Sequence, residues 1–315
     1  MVKSARASLK SHFKTRNRAL ATEIASLERA ADLPSTILIL GESGTGKDRL
    51  ARAVHDVSSR ASRPFVRVDA ANLSDELFES ELFGHERGAF TGAIAAKKGL
   101  LEVAEDGTVY LDEVSSLSPA AQAKFLRVLQ EKNFRRLSGV ATHPFRARLI
   151  VSSRRDLSAL VSQGAFRDDF FYRIDVVSVR LPRLRERTED VLPLARAFAR
   201  RAARAWDRPA RRFTDAAEKT LQRHPWPGNV RELQHVVEKA VLAAEGAEID
   251  ATDLPAGSLG APETLVAAAL ESRWTLKELT DAYISETLRR AGGNRSLAAR
   301  RLGVSRKFLW ERERK

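Results

Sequence analysis

The apolar residues of this chain follow two rhythms. Short runs rich in Val, Ile and Leu occupy residues 36–40, 64–69, 108–111, 148–152 and 176–181, with helix-length stretches between them. Five strands at that spacing predict a parallel sheet with helices on both faces, the doubly wound α/β class. After Pro182 the strand signal stops, and residues 189–204, 214–221 and 229–244 repeat apolar positions at helical intervals, predicting a small all-helical subdomain. Upstream, Leu20, Ile24, Leu27 and Ala31 share one helix face in an otherwise basic segment. Residues 246–262, GAEIDATDLPAGSLGAP, have the composition of a linker, and the helical pattern resumes beyond it. The expected division is 1–33, a basic segment with one helix; 34–188, an α/β core; 189–245, a helical subdomain; 246–272, a linker; and 273–315, an all-α domain. No internal repeat interrupts this order.

Composition narrows the chemistry. The 315 residues are 43% apolar, enough for more than one core, and carry a formal charge of +13 with 30% of residues charged. Such a balance favours phosphate-rich partners, nucleic acid first. With no cysteine, thiol chemistry and thiolate metal sites are excluded, and the six histidines form no HExxH pair. No apolar stretch approaches the roughly 18 residues of a membrane span, and no signal peptide opens the chain. These features predict a cytoplasmic, nucleoid-associated protein with no membrane partner.

The first strand runs into GESGTGKD at residues 41–48, followed by a helix-forming stretch. This is G-x-x-x-x-G-K in its strand-loop-helix setting. Gly41, Glu42, Ser43, Gly44, Thr45 and Gly46 would wrap backbone N–H groups around a nucleotide's phosphates, and Lys47 would reach the terminal ones. Asp48 stands where Ser or Thr normally ligates Mg²⁺; a carboxylate there would hold a magnesium-bound water. A second strand ends in Asp112-Glu113. Asp112 would orient Mg²⁺ through water, and Glu113 would polarise the attacking water of a phosphoryl transfer. No Asn-Lys-x-Asp guanine-reading motif is present, which favours ATP over GTP.

Between these motifs lies ELFGHERGAFTGA at residues 81–93, where Gly88 and Gly92 bracket an exposed Phe90-Thr91 tip. With GESGTGKD upstream and FRDDFFYRI, LPRLRER and WPGNVREL downstream, this string resembles the AAA+ domain of the bacterial sigma-54-dependent transcriptional activators, the enhancer-binding proteins. The resemblance runs from about residue 20 to 245 and resumes at 275–315. It implies an AAA+ P-loop ATPase with a helical lid, a hexameric ring, and a loop of Gly88, Ala89, Phe90, Thr91, Gly92 and Ala93 that engages sigma-54 RNA polymerase holoenzyme during the ATP cycle. It also implies that Arg167 and Arg173 are arginine fingers serving the ATP of the next subunit, that Ser153 sits at a sensor position, and that Arg231 is a second sensor on the lid. Trp226 reads as a core anchor.

Four positions depart from that family's pattern. Asp48 replaces Glu. Asp69 replaces an asparagine that holds the catalytic glutamate, so that repulsion from Glu113 or a different hold on it is expected. Ser153-Arg154 replaces Thr-Asn, and Arg183 replaces a proline.

In the C-terminal segment, from Arg273 onward, 12 Lys and Arg face 5 Asp and Glu. A helix over 276–290 ends at Gly292-Gly293; Asn294 caps a second over 295–302; Gly303-Val304 turns the chain and Ser305 caps a third. Two short helices around a glycine turn fit a helix-turn-helix. GGNRSLAARRLGVSRKFLW resembles the Fis-type DNA-binding domain, which implies that Ser305, Arg306, Lys307, Trp310 and Arg312 belong to the recognition helix. Arg295, Arg300 and Arg301 then suit phosphate contacts on double-stranded DNA, and the module would bind paired half-sites as a dimer. Since 33 residues cannot hold a receiver domain, control is expected from a separate protein, from expression level or from a lost domain, with a regulatory protein that binds the AAA+ surface as the favoured source. The competing expectation is a DNA-binding regulator with impaired hydrolysis, in which ATP sets only the oligomeric state.

Overall fold

The computed structural model describes residues 8–71, 75–255, 274–290, 294–305 and 308–309. It divides into two compact units, residues 1–253 and 254–315. In the first, β1 (Ile37–Leu40), β2 (Phe65–Asp69), β3 (Thr108–Asp112), β4 (Arg148–Ser153) and β5 (Val177–Arg180) form one parallel sheet in the order β2-β3-β4-β1-β5. The five strands fall where the apolar runs predicted them. The central strands are buried on both faces, which is why β1 reads ILIL rather than alternating.

Each face has its own core. Leu20, Ile24 and Leu27 of α1 (Arg18–Ala30) and Leu50 and Val54 of α2 (Lys47–Val57) pack on Ile37, Ile39, Tyr110 and Ile150. On the opposite face, α3 (Asp75–Phe83), α4 (Pro119–Glu131) and α5 (Asp168–Ile174) supply Phe78, Phe125 and Phe170 against Leu38, Leu111 and Val151. Because every strand runs the same way, β1 to β4 deliver Gly41, Asp69, Asp112 and Ser153 to one edge of the sheet, where ligands of open α/β sheets bind.

The lid consists of α6 (Val191–Ala205), α7 (Asp215–Arg223) and α8 (Asn229–Ala243). Trp226 is buried at its centre and donates its indole N–H to the Leu221 carbonyl at 2.9 Å. Residues read as the start of the linker continue this fold: Glu248–Ile249 pairs in parallel with Arg212–Phe213, and Ile249 is fully buried. One isoleucine in a Gly/Ala/Pro-rich stretch left no periodic signal for that pairing.

In the second unit, α9 (Leu276–Arg290) and α10 (Arg295–Leu302) enclose Ile284, Ala298, Ala299 and Leu309. The Asn294 side chain accepts from Leu297 N–H at 3.1 Å, and Gly303 ends α10 at φ +68°, a backbone conformation that favours glycine. Ser305 Oγ accepts from Phe308 N–H at 3.1 Å, as a cap should. Arg300 and Arg301 are exposed, as is Arg295. Arg306, Lys307, Trp310 and Arg312 lie outside the described residues. Among the described residues no helix is long and apolar enough to cross a membrane.

Candidate functional site

The loop after β1 turns on Gly44 and Gly46, both at positive φ. Gly44 has φ +78°, and a Cβ on it would lie 2.4 Å from the Gly228 carbonyl oxygen of the lid. The Gly44 carbonyl accepts from Val230 N–H at 2.9 Å and Arg231 N–H at 3.3 Å, so the first turn of α8 is docked on the loop. Arg231 also donates to Ser43 Oγ at 2.9 Å. Asn229 ties the lid to the loop. It begins α8 at φ +54°, fully buried, accepts from Leu184 N–H, and donates to the Ser43 carbonyl at 3.0 Å and Glu42 at 3.2 Å. Arg183, one of the departures, pairs with the same Glu42 at 2.8 Å.

Lys47 opens α2, and its ammonium donates to the carbonyls of Gly41 at 2.8 Å and Glu42 at 3.1 Å. Burial lowers its pKa below the ordinary lysine value, while Glu113, Asp112 and Asp48 pull it back up. Asp48 and Asp112 share one cation and one hydroxyl. The Arg67 guanidinium lies 2.8 Å from Asp48 and 2.6 Å from Asp112, and Tyr110 Oη is 2.9 Å and 3.0 Å from the two. Burial first, and the Asp112 charge second, raise the Tyr110 phenol far above its usual pKa, so it stays a donor. Ser152 Oγ donates to Asp112 at 2.5 Å. Two carboxylates converging on one cationic position fit Mg²⁺, which takes one or two carboxylates and keeps several waters. Among the described residues no group of three or more His, Asp or Glu side chains is arranged to hold a metal ion.

Glu113 follows at φ +59°, its N–H donating to Ser152 Oγ at 3.1 Å. Its carboxylate accepts from the Ser115 hydroxyl and from Arg154 N–H at 3.2 and 3.3 Å, with the Arg154 guanidinium 3.7 Å away. Ser115 of its own turn and Arg154 at the end of the adjoining strand thus hold Glu113, and Asp69 accepts from Ala71 N–H at 3.0 Å. Ser153 is fully buried and donates to the Arg155 carbonyl at 2.8 Å, which commits its hydroxyl to its own turn.

Lys47, Asp48, Asp69, Asp112, Glu113 and Arg231 line a cavity of about 390 Å³, and Ser153 is not among its walls. A second cavity of about 620 Å³ adjoins it at Gly46, walled by Phe13, Arg49, Leu194 and Ala197. Buried Arg187 lines it too and donates to the Thr45 carbonyl at 2.6 Å.

Arg167 and Arg173 lie outside both cavities and are exposed. Arg167 forms a two-pronged pair with Asp169 at 3.0 and 2.7 Å, and Arg173 donates to the Leu129 carbonyl at 2.9 Å. The Gly88 to Ala93 loop closes on itself: Gly88 N–H donates to the Ala93 carbonyl at 2.8 Å. Gly88 and Gly92 have φ +83° and +103°, and Ala93 is buried. Phe90 at the tip is 46% exposed and touches its own protein edge-on at His85, 5.0 Å between ring centres. Arg136 ties the base by bonding Glu102 at 2.7 and 2.8 Å and Glu86 at 3.1 Å.

A parallel sheet whose carboxyl edge carries a glycine-rich phosphate loop, a strand-end acid pair and a docked helical lid defines a P-loop module of AAA+ type. Residues 13–180 match the Sigma-54 interaction domain, residues 185–269 the AAA+ ATPase lid domain, and residues 275–315 the bacterial regulatory proteins of the Fis family. The chain belongs to the sigma-54 interaction domain family. It is 44% identical over 275 residues to the transcriptional regulatory protein ZraR of Klebsiella oxytoca, covering 87% of this chain and 62% of the relative. It is 42% identical over 281 residues to the Nif-specific regulatory protein of Azotobacter vinelandii, covering 89% and 54%. The chain thus spans between half and two thirds of the length of these relatives. The crystal structure of NtrX from Brucella abortus in complex with ADP superposes with a TM-score of 0.71 at 34% identity, over 94% of this chain and 67% of that one.

Sequence reasoning missed Arg67, Tyr110 and Asn229. A signal existed for Tyr110, which stands two residues before Asp112 on the same strand face. Arg67 becomes a candidate only once the register sets it opposite Tyr110.

Proposed function

We propose that the protein hydrolyses ATP in a pocket completed by a neighbouring copy, and uses the cycle to press the Gly88 to Ala93 loop against sigma-54 RNA polymerase while its C-terminal helices hold upstream double-stranded DNA. The observation that carries this reading is the convergence of Lys47, Asp48, Asp112 and Glu113 on one cavity, while Arg167 and Arg173 stand exposed outside it.

The smaller cavity takes the phosphates and the larger one the base and ribose, with Phe13 as an apolar wall. Lys47 leaves the Gly41 and Glu42 carbonyls to neutralise the terminal phosphates. Glu113 orients the attacking water in line with the γ-phosphorus and accepts its proton. Asp48 and Asp112 would hold Mg²⁺, which would supply charge neutralisation to the phosphates. Arg231 senses the phosphates from the lid, and its link to Ser43 carries their loss to α8. Arg167 and Arg173, from the next copy in a ring, stabilise the charge of the transferring group. Arg167 must first exchange Asp169 for phosphate, so ring formation and activity are linked. The proposed domain division keeps the bounds expected from the sequence, except that the first compact unit runs to Asp253.

Arg154's grip on Glu113 supports a second reading, a regulator whose ATP sets assembly and is scarcely turned over. ATPase assays of the parent and Glu113→Gln, beside open-complex formation with sigma-54 polymerase by the parent and Thr91→Ala, decide the matter. The main reading expects turnover and promoter opening by the parent, loss of turnover in Glu113→Gln, and hydrolysis without opening in Thr91→Ala. Parent turnover no higher than Glu113→Gln establishes the second.

A further inference from the structure

The lid carries a concave basic surface, of which Arg196 and Arg200 also line the larger nucleotide cavity while Arg204, Arg211 and Arg212 line neither cavity. Arg196, Arg200 and Arg204 follow one another at four-residue intervals along α6, on the face opposite the buried Ala195, Phe198, Ala199 and Ala202. That interval sets them about 6 Å apart along the helix. Arg196, Arg200, Arg211 and Arg212 line a groove of about 570 Å³ with Phe213 and Glu218, and Arg204 continues the row one turn beyond that lining. Its one acid is spent, since Glu218 pairs with Arg196 at 2.6 Å. Arg211 is held by the backbone carbonyls of Ala244 and Glu245. Among the described residues, Arg200, Arg204 and Arg212 have no carboxylate within ion-pair distance, and all three are exposed.

A helix end favours cations in its last turn, which accounts for Arg204 alone. It does not account for Arg200 a turn earlier or Arg212 beyond the helix. Guanidinium groups gathered without counter-charge repel one another, and a concave wall focuses their field on whatever anion approaches. The planar fork of arginine matches phosphate oxygens.

We propose that this groove is a binding site for the sugar-phosphate backbone of duplex DNA, separate from the C-terminal helix-turn-helix. A row of arginines with no amide side chain among them holds phosphates and reads no base edges. The DNA held by the C-terminal helices is tethered to the same chain, which raises its effective concentration at the lid. The groove then adds sequence-independent affinity and tracks the duplex beside the specific site.

The test uses the full chain and a fluorescent duplex of arbitrary sequence about three helical turns long. Arg204 and Arg212 lie outside both nucleotide cavities, so the variant is Arg204→Ala/Arg212→Ala. Each lost phosphate contact removes about 0.9 from the slope of log affinity against log salt, so the slope should fall by about 2. Affinity should fall about tenfold near physiological salt, and Arg204→Lys/Arg212→Lys should retain most of both. Arg300→Ala/Arg301→Ala reports the helix-turn-helix contact separately, and the lid variant should lower the slope by the same amount in that background. An unchanged slope in the lid variant overturns the proposal. Loss of subunit association in sedimentation at unchanged slope also overturns it, and assigns the groove to the acidic surface of a second copy.

Discussion

Arg67 lies 2.6 Å from Asp112 and, through its other terminal nitrogen, 2.8 Å from Asp48, bridging two carboxylates carried by different strands and helices. Burial disfavours its charge, but Asp48 and Asp112 outweigh that and raise its pKa above the ordinary arginine value. A cation bound by the same two acids competes with this guanidinium. Arg67→Ala is therefore expected to lower the Mg²⁺ concentration for half-maximal ATPase severalfold. Because Arg67 is about half exposed, its removal should cost the nucleotide-free protein no more than about 1 kcal/mol in urea unfolding. An unaltered Mg²⁺ requirement rejects the competition.

Gly44 and Gly92 make a contrasting pair. Both have positive φ, but a Cβ at Gly92 meets nothing within 4 Å, whereas at Gly44 it meets the lid backbone at 2.4 Å. Gly92→Ala should cost about 1–2 kcal/mol of backbone strain and leave ATP affinity intact. Gly44→Ala adds displacement of α8, and should weaken ATP binding at least tenfold and expose the segment around residues 182–187 to protease. Equal ATP affinities for the two variants, measured by titration, contradict the docking role of Gly44.

Much of this was legible before any coordinates. The five strands announced themselves because a parallel sheet buries both faces of its strands and so needs unbroken apolar runs. The phosphate loop and the Asp112-Glu113 pair were legible because their chemistry is local, a few residues in fixed order. What stayed hidden depends on register or on contacts between distant segments. Arg67 reaches Asp112 only because β2 pairs β3 with Asp69 opposite Asp112. Arg183 and Asn229 meet at Glu42 only because the lid folds back on the loop. Arg154 stands out in sequence as a departure, yet only its guanidinium, 3.7 Å from Glu113, depends on that identity; the backbone N–H hold is one that any residue there would offer.

His55 gives the fold a pH dependence of known sign. It is almost wholly buried in α2, and its Nδ1 lies 2.9 Å from Thr108 Oγ1. Burial first, and the Arg52 charge second, lower its pKa below the ordinary 6.5. The unfolded chain then takes up a proton below about pH 6.5 that the native state refuses. Stability should be level above that pH, fall as the pH drops through it, and flatten again below the native pKa. Urea midpoints at pH 7.5 and 5.5 should differ in the parent, and the part of the difference due to this residue should vanish in His55→Gln, which keeps a partner for Thr108. An identical pH dependence in parent and variant contradicts the lowered pKa.

The exposed positions of Arg167 and Arg173 lead to a mixing experiment. If Arg167 serves a neighbour's nucleotide, Arg167→Ala should hydrolyse ATP about a thousandfold more slowly or worse, with its own ATP affinity little changed. Lys47→Ala should fail for the opposite reason, having no nucleotide site of its own while keeping a functional Arg167. In a ring built from head-to-tail contacts, each site combines the phosphate loop of one protomer with the arginines of the next. An equal mixture of the two inactive proteins therefore restores a complete site wherever an Arg167→Ala loop faces a Lys47→Ala neighbour, about a quarter of the contacts in a random ring. Turnover approaching that fraction of the parent's is the expected result. If the mixture, after verified subunit exchange, stays as inactive as its components, Arg167 does not act across a subunit boundary. Its bond to Asp169 is then its whole role.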